Sequence, residues 1–380
     1  MRGKSFIEQL LSGGSLEWKA LSEVAEFKRG EQLKPIDLIP GPYPVVTASK
    51  TETGSHSEWN FGPVGLTITS HGAYAGHVNY WSTPIWLANN VFLLKTKSIL
   101  TPKFLYYFLK SNELRIQGLA KGGGVPYFNA RDVAPMLVPI PCPEDPERSL
   151  EIQAEIVRIL DAFTELTSEL TSELTSRKKQ YNHYLDQLLS FEDGELEWMP
   201  LGVITTIKTG QSVNKQMISA NPGDYPVINS GRNPLGFINE WNTEGDPIGI
   251  TSRGAGVGSV TWQDGRYFRG NLNYSVTIKN NQKVRTRYLY HVLQKMQLEI
   301  QALCTYDGIP ALNAGNLKEL KVPVPSFAEQ ERIETTLDKF DALANSITEG
   351  LPREIELRQK QYEYYRDLLL GFPKPEEVAA

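Results

Sequence analysis

Apolar residues recur at steps of three and four over two long stretches of the chain. In the first stretch they are Ile152, Ile156, Ile159, Phe163, Leu166, Leu170, Leu174, Tyr181, Leu185 and Leu188. In the second stretch they are Ile333, Leu337, Phe340, Ala344, Ile347, Leu351, Ile355, Tyr362, Tyr365 and Leu369. This spacing places them on one narrow face of a helix, as in a coiled coil. It predicts two long helices that pack against each other as an antiparallel pair.

Two local features modify these helices. Gly350 and Pro352 interrupt the second stretch, and because glycine ends helices while proline suits a first turn, we predict a break there. In the first stretch the unit Thr-Ser-Glu-Leu occurs at 167–170 and again at 171–174. One such unit is slightly more than a helical turn and adds about 6 Å of length. The length of this helix is therefore predicted to change in steps of about one turn.

The segments outside the helices have a strand pattern. Residues 16–143 and 196–325 contain short apolar runs broken by Gly, Pro and Asn. The runs 65–70 and 249–252 predict buried strands, followed by the glycine-rich segments 72–76 and 254–258. Residues 259–262 return to a strand pattern and no helix follows, so a glycine hairpin is favoured over a nucleotide-binding loop.

The chain contains the same pattern twice, at an offset near 180 residues. Matching segments are 16–18 with 196–198, 43–46 with 225–228, 58–60 with 240–242, 126–129 with 310–313, 138–141 with 322–325 and 177–181 with 358–362. The predicted fold class is α+β: two β-rich mixed domains separated by two long antiparallel coiled-coil helices, in a pseudo-two-fold internal repeat. The predicted boundaries are an N-terminal helical segment 1–15, a first domain 16–143, a central helix 144–195, a second domain 196–325, a C-terminal helix 326–372 and a tail 373–380.

Charge is segregated in the same way. The whole chain has a net charge of −5, which argues at first sight against nucleic acid. The β-rich domains carry +3 and +4, however, whereas residues 144–195 carry −8 and residues 326–380 carry −5. Basic domains on acidic helices are compatible with DNA binding, and ordinary scatter of charge is the alternative.

Basic residues at glycine-rich loops are the candidate DNA contacts. His71 and Arg253 precede the two glycine-rich turns. Each is interpreted either as a contact to a base or phosphate of DNA, or as a turn residue that is exposed to solvent. Lys121 begins the loop Lys-Gly-Gly-Gly, which could follow a phosphate backbone or act as a spacer.

Further candidates share a position or a domain. Lys28 and Arg29 come just before Gly30 in the first half, and Lys208 comes two positions before Gly210 in the second. The shared position favours a shared role, which we predict to be phosphate contact. Arg232, Arg266 and Arg269 are additional candidates for base contacts in the second domain.

Other classes of protein receive no support. We find no apolar run of membrane-helix length and no signal-peptide pattern, and the two cysteines fit a reduced, cytoplasmic protein. Histidines and cysteines lack metal-ligand spacing, and neither a phosphate-binding loop nor an amino-methyltransferase motif occurs. Glu26-Phe27-Lys28 has nuclease-like spacing, but no Asp precedes it and the second half does not repeat the acid. We predict no catalytic residues and no metal.

The chain resembles the specificity (S) subunit of Type I restriction–modification systems over nearly its whole length. The resemblance is carried by Leu-Glu-Trp at 16–18 and 196–198, Pro-hydrophobic-Pro at 139–141 and 323–325, Gln153 or Gln330 at the start of each helix, Arg-x-Lys-Gln-Tyr at 177–181 and 358–362, and the four-residue tandem. Departures are modest: the Arg-x-Lys motifs at 177–179 and 358–360 differ at one position, and the Pro-x-x-Asn motifs at 126–129 and 310–313 differ in their two middle residues.

The resemblance implies a non-enzymatic protein in which two target-recognition domains bind double-stranded DNA at a bipartite site. It implies two methyltransferase (M) subunits, which bind S-adenosylmethionine, and restriction (R) subunits, which use ATP and magnesium; this chain itself would hold no cofactor. The helices would dock the M subunits, and the candidate docking residues are Gln153, Phe163, Leu170, Leu174, Tyr181, Gln330, Phe340 and Tyr362. The alternatives are a methyltransferase or nuclease with a degenerate motif, and a scaffold that does not contact DNA.

Overall fold

The computed structural model describes residues 10, 11, 13–34, 36, 38–63, 65–191, 196–231, 233–345 and 350–373. Most of the predicted N-terminal segment 1–15 and of the tail 373–380 therefore lies outside the described residues. Leu10 and Leu11 are helical.

The first half begins with a strand-rich segment. Its elements are β1 Leu16–Ala20, α1 Leu21–Val24, β2 Ala25–Arg29, β3 Tyr43–Val46, β4 Ser55–His56, β5 Gly65–Thr69, β6 Val78–Trp81, β7 Trp86–Leu87, β8 Val91–Thr96, α2 Pro102–Ser111, α3 Glu113–Gln117, α4 Ala130–Val133 and β9 Leu137–Pro141. Strands β2, β8, β5 and β6 form an antiparallel sheet in that order. A smaller sheet has the order β4-β3-β7, and its β3 and β7 are parallel.

A long helix, α5 Pro146–Leu188, then leads to the second half. Its elements are β10 Glu197–Pro200, α6 Leu201–Ile204, β11 Thr205–Thr209, α7 Lys215–Ala220, β12 Pro222–Ile228, β13 Phe237–Ile238, β14 Thr243–Glu244, β15 Ile248–Thr251, β16 Val260–Trp262, β17 Arg266–Arg269, β18 Asn273–Ile278, α8 Thr286–Lys295, α9 Gln297–Ala302, β19 Cys304–Thr305, β20 Ala311–Leu312, α10 Ala314–Glu319 and β21 Lys321–Val324.

The main sheet has the same topology in the two halves, whereas the small sheet has three strands in the first half and four, in the order β13-β12-β17-β14, in the second. Strands β11, β18, β15 and β16 repeat the order of β2, β8, β5 and β6. Strand β1 pairs with β9, and β10 pairs with β21, so the Leu-Glu-Trp segments lie against the Pro-hydrophobic-Pro segments in both halves. The predicted α+β class and the internal repeat are confirmed.

The chain continues into α11 Phe327–Asn345 and α12 Leu351–Leu370. Gly350 precedes α12 with a φ of +80°, a conformation that costs other residues about 1–2 kcal/mol. Its Cβ would also lie only 2.5 Å from the carbonyl oxygen of Ala342. The predicted break in the second long helix is confirmed.

The chain divides into two compact units. The first contains residues 1–170 with 355–380, and the second contains residues 171–354. In each unit the apolar face of the long helices is buried in the core of the β-rich domain: Ile152, Ile156 and Leu369 in the first unit, and Tyr181, Ile333 and Leu337 in the second. The domain boundaries predicted from the sequence separate each long helix from the neighbouring β-rich domain. In the structure, helix and domain share one hydrophobic core in each unit.

In the first unit the two helical segments run antiparallel. Phe163 on α5 stacks on Tyr365 of α12, with ring centroids 5.2 Å apart. Phe372, just beyond α12, contacts Phe104 near the start of α2, and that helix begins next to Gln153. Residue 365 therefore lies beside residue 163, and residue 372 lies near the part of α5 around residue 153. Residue numbers rise along α12 in the direction in which they fall along α5, so the two helices are antiparallel. In the second unit Tyr184 on α5 stacks on Phe340 of α11, at 4.7 Å.

Candidate nucleic-acid interface

A glycine turn joins two strands of the main sheet in each unit. Strands β5 and β6 pair antiparallel, as do β15 and β16, so both predicted hairpins are present. Each turn contains two glycines with positive φ, Gly72 and Gly76 in the first unit and Gly254 and Gly258 in the second. A Cβ on Gly76 would lie 2.7 Å from the backbone of Gln117, so the turn packs closely on the helix α3.

A second loop is hydrogen-bonded to each turn. His71 forms an isolated antiparallel bridge with Tyr127, and the N–H of Gly72 donates to Pro126 O at 2.8 Å. In the second unit Arg253 bridges Ala311, and the N–H of Gly254 donates to Pro310 O at 2.9 Å. The repeated Pro-x-x-Asn segments therefore hold equivalent loops beside equivalent turns.

A third loop completes the arrangement. In the first unit the Lys50 ammonium lies 5.4 Å from the centroid of the Tyr74 ring, and Asn79 Nδ2 donates to Lys50 O. In the second unit a Cβ on Gly256 would lie 2.9 Å from Ser230 O. We name residues 47–51, 71–76 and 121–127 the first loop cluster, and residues 229–231, 253–258 and 305–311 the second loop cluster.

The loop clusters contain some of the predicted residues and others that sequence reasoning missed. His71 and Lys121 lie in the first, and Arg253 lies in the second. Lys50, Tyr74, Tyr127 and the exposed Tyr306 belong to the clusters but were not predicted. The sequence match of 126–129 with 310–313 could have indicated these residues, because it marks equivalent loops in the two halves.

Lys121 is held by an acid. Its ammonium lies 2.6 Å from a carboxylate oxygen of Asp132, and the lysine side chain is exposed whereas that of Asp132 is half-buried. The hydrogen bond from Lys121 keeps the pKa of Asp132 below its usual range. This ion pair positions the lysine while leaving much of its side chain exposed to solvent.

The repeated basic residues beside glycine lie on edge strands of the main sheets. Lys28 and Arg29 are exposed on β2, and Lys208 is exposed on β11. The Arg29 guanidinium lies 5.0 Å from the centroid of the Phe92 ring. Among the described residues no hydrogen bond joins these three side chains to the loop clusters.

Close packing explains the glycines that follow these basic residues in both halves. A Cβ on Gly30 would lie 2.1 Å from Leu87 O, and one on Gly210 would lie 2.2 Å from Arg269 O. The shared motif is therefore explained by close backbone packing against the small sheet. The phosphate contact predicted for the neighbouring basic residues has no support from this packing.

The three arginines predicted in the second domain differ in environment. Arg232 lies outside the described residues. Arg266 is half-exposed, pairs with Glu244 at 2.9 Å and stacks on the ring of Trp241 at 4.7 Å.

Arg269 corrects the prediction, because it is only 3% exposed. Its guanidinium donates to the backbone oxygens of Asp246, Ile248 and Tyr274 at 2.6, 3.1 and 3.0 Å. It also donates to the side chains of Asn273 and Tyr267. Burial lowers its pKa from that of a free arginine. A guanidinium occupied in this way supports the domain and is not available to a base.

Two of the predicted docking residues are also internal. Gln153 and Gln330 are fully buried. Gln153 accepts from the N–H of Thr101 at 2.8 Å and donates to Ile99 O at 2.9 Å. Gln330 accepts from the N–H of Arg285 at 2.9 Å and donates to Lys283 O at 3.0 Å. They fix the start of each long helix to the start of α2 or α8, so their prediction as partner contacts was wrong.

Tyr181 is a third internal residue. It is buried, and its hydroxyl lies 3.1 Å from Nδ1 of His291. Burial raises its pKa well above the usual range. The remaining predicted docking residues, Phe163, Leu170, Leu174, Phe340 and Tyr362, are half-buried. More exposed apolar side chains on these helices are Leu343, Leu357, Tyr364 and Tyr365.

An acidic residue fastens each domain to a long helix. Asp161 on α5 accepts from Lys103 and Tyr107 of α2 at 2.6 and 2.5 Å. Asp338 on α11 accepts from Arg287 and pairs with His291 of α8, at 2.6 and 2.7 Å. Although burial raises the pKa of Asp338, the hydrogen bonds from His291 and Arg287 lower it overall. These contacts hold each loop cluster at a fixed position relative to the helix segments of its own unit.

Metal-binding clusters and membrane-spanning helices are both absent from the described part of the chain. No group of three or more His, Cys, Asp or Glu side chains there is arranged to hold a metal ion. No helix among those residues is both long and apolar enough to cross a membrane.

A known protein family matches each of the two repeats. The family model for the Type I restriction modification DNA specificity domain matches the chain twice, at residues 15–177 and 194–357. The two matches cover both β-rich domains and most of the long helices.

Full-length relatives are similar to the chain. The Type I restriction enzyme EcoR124I/EcoR124II specificity subunit of Escherichia coli is 36% identical, with 100% of each chain covered. A Haemophilus influenzae protein described as a putative Type I restriction enzyme specificity subunit is 34% identical over 97% of this chain and 99% of its own.

The fold is shared with a solved structure. The crystal structure of the S subunit of a Type I restriction–modification system from M. genitalium superposes with a TM-score of 0.73 at 22% identity, covering 96% of this chain and 97% of that one. At that identity the likeness establishes the fold. Taken with the two family-model matches and the full-length relatives, it shows that this chain belongs to the family of Type I restriction–modification specificity subunits.

Proposed function

We propose that this chain is the sequence-specific DNA-binding component of a Type I restriction–modification complex, and that each β-rich domain recognises one half of a bipartite, asymmetric site. One observation carries the proposal. Three equivalent loops meet on the same scaffold in both units, but they carry different side chains, for example His71 and Tyr127 against Arg253 and Ala311. A shared scaffold with different loops suits two different half-sites.

Recognition would combine two kinds of contact. Lysines such as Lys28, Lys208 and Lys121 would bind phosphates and supply salt-dependent affinity. Side chains of the loop clusters would contact base edges and supply sequence preference. The net positive charge of both domains supports this division of roles.

The partners in this proposal are double-stranded DNA, two M subunits and R subunits. S-adenosylmethionine would bind to M, and ATP with magnesium to R, while this chain would hold no cofactor and catalyse no reaction. Docking of M would use the half-buried and exposed apolar residues of the long helices, including Phe163, Phe340, Tyr362, Tyr364 and Leu357.

The long helices would set the spacing between the half-sites. The two Thr-Ser-Glu-Leu units lie within α5, which is helical without interruption from Pro146 to Leu188. Leu170 and Leu174 are half-buried at equivalent places in successive units. One unit adds about 6 Å, and a base pair rises about 3.4 Å, so one unit corresponds to one or two base pairs.

Mapping of methylated adenine across the genome tests this function. The chain is expressed with its M partner, with and without deletion of residues 171–174. We expect a bipartite motif whose spacer shortens by one or two base pairs in the deletion variant. A motif with unchanged spacing would retain DNA recognition and reject the spacing role. An assembled complex that gives no motif would reject DNA recognition and favour a scaffold.

A separate measurement addresses the enzymatic alternative. The purified chain alone is titrated with S-adenosylmethionine in a calorimeter, and no binding is expected. Detectable binding would support a methyltransferase with a degenerate motif.

A further inference from the structure

Arg253 occupies a rigid position at the centre of the second loop cluster. The flanking backbone is held on both sides, because the N–H of Leu312 donates to Ser252 O and the N–H of Gly254 donates to Pro310 O. The N–H of Ser252 in turn donates to Leu272 O. These bonds, of 2.8 to 2.9 Å, tie the base of the side chain to β20 and to the turn before β18. Such anchoring is what a side chain needs to be presented in one place to a partner.

The equivalent residue of the first unit is His71, which is held by its neighbours. Its ring stacks on Tyr127 with centroids 6.0 Å apart, and its Nδ1 lies 2.8 Å from Ser70 Oγ. In the second unit Ala311 takes the place of Tyr127, and among the described residues the Arg253 side chain makes no contact with an aromatic ring. The same backbone position therefore presents a restrained imidazole in one half and an unrestrained guanidinium in the other.

Arg253 also differs from the other arginines of its domain. Within 196–231 and 233–325, Arg266 pairs with Glu244, Arg285 with Glu334 and Arg287 with Asp338. Arg269 is buried among backbone oxygens. Arg253 is exposed, and its guanidinium has no acidic, aromatic or backbone partner in the part of the chain that the structure describes. An arginine left unpaired on a rigid support has its full set of donors available to a ligand.

Resting on the proposed function, we infer that Arg253 determines specificity by recognising a guanine in the half-site bound by the second domain. The planar guanidinium can donate two parallel hydrogen bonds to O6 and N7 of guanine in the major groove. The first domain lacks this fork at the equivalent position, where the imidazole of His71 cannot make the two parallel hydrogen bonds to one guanine that a guanidinium makes. The inference thus assigns one base preference to one half of the asymmetric site.

The test compares Arg253→Ala and Arg253→Gln with the unmodified chain, each expressed with the M partner and mapped for methylated adenine. We expect one G·C pair in one half-site to lose its preference by roughly tenfold to a hundredfold in both variants, because a good bidentate contact discriminates by about that much. The other half-site and the spacing should not change. Arg332→Ala, which removes an exposed arginine paired with Glu329 on α11, is the matched control and should leave the motif unchanged.

Competition binding supplies a second readout where a variant methylates too little to define a motif. The purified assembly is offered four duplexes that differ only at one G·C pair required by the unmodified complex, and each such pair is tested in turn. Equal affinity of the Arg253→Ala assembly for all four duplexes at one pair supports the inference. A uniform loss across all sequences, with a salt-dependence slope reduced by about one, indicates a phosphate contact and overturns it.

Failure of the inference differs from failure of the proposed function. A bipartite motif that is identical with and without Arg253 overturns the inference alone. The same holds for a motif with no G·C pair in either half-site. Absence of any motif from the unmodified complex rejects the proposed function itself.

Discussion

The side-chain oxygen of Gln153 accepts a hydrogen bond from the backbone N–H of Thr101 at 2.8 Å. Thr101 is the residue before α2, whose first N–H groups have no partner within the helix. Gln330 does the same for Arg285 at the start of α8, at 2.9 Å. One glutamine in each long helix therefore caps the helix that supports the corresponding domain, and this contact fixes helix to domain.

Replacement of either glutamine should destabilise its own unit. Gln153→Ala leaves a partly buried N–H and a partly buried carbonyl without partners, which costs at most about 3 kcal/mol. Urea unfolding followed by hydrogen exchange, resolved by peptide, should show faster exchange in α2 for Gln153→Ala and in α8 for Gln330→Ala. Gln180→Ala, at an exposed position on α5, is the control and should change stability by less than about 0.5 kcal/mol. Equal exchange in α2 and α8 for both variants would contradict the assignment of each glutamine to one domain.

Removal of the Arg269 guanidinium should destabilise the second unit without altering base preference. Arg269→Ala removes the guanidinium donor from three backbone oxygens, one of them buried and two partly buried, and from the buried side chain of Asn273. Loss of one partner from such a buried network costs about 3–5 kcal/mol. We expect a lower urea midpoint, measured by circular dichroism, and an unchanged methylation motif at a temperature where the variant is folded. A relaxed base preference in the folded variant would show that Arg269 contacts DNA after all.

Alanine at the two glycines of the first turn should have unequal effects. Both positions have positive φ, which costs alanine about 1–2 kcal/mol. At Gly72 the added Cβ would contact only Ala48, at 3.7 Å, whereas at Gly76 it would lie 2.7 Å from backbone atoms of Gln117. Gly76→Ala should therefore lower the free energy of unfolding by more than Gly72→Ala. Similar losses for the two variants in urea titrations would refute the close packing of the turn on α3.

Acid should weaken the first unit through Glu113. Burial raises the pKa of this carboxyl, but the hydrogen bonds from His77 and Lys110, at 2.6 and 2.5 Å, outweigh burial and lower the pKa overall. A carboxyl with a lowered pKa in the folded state contributes stability above the unfolded pKa of about 4.3, and this is lost as the pH falls through the folded value.

The free-energy difference between the unmodified chain and Glu113→Gln should therefore shrink as the pH is lowered from about 5 towards 3. Urea titrations at several pH values measure it. Glu165→Gln, at an exposed position on α5, is the matched control. A difference that stays constant across this range would show that ionisation of Glu113 does not contribute.

Much of the fold follows from local pattern and from repetition. Steps of three and four predict α5, α11 and α12 because a helix places those positions on one face. Gly350 marks the helix break because its positive φ disfavours other residues. The repeat at 180 residues predicts two domains of the same topology, and the family follows from motifs that lie at the junctions between domains and helices.

The sequence by itself therefore determined the helices, the duplicated β-rich domains, the glycine hairpins and the family. Only the tertiary structure decided which polar side chains are available to a ligand. Arg253 and Arg269 are the same residue type in the same domain, yet one is exposed and the other is surrounded by backbone oxygens. Gln153 resembled a surface residue of a helix but caps another helix 52 positions away. The physical reason is that burial and hydrogen bonding depend on contacts between distant segments, whereas periodicity and turn propensity are properties of neighbouring residues.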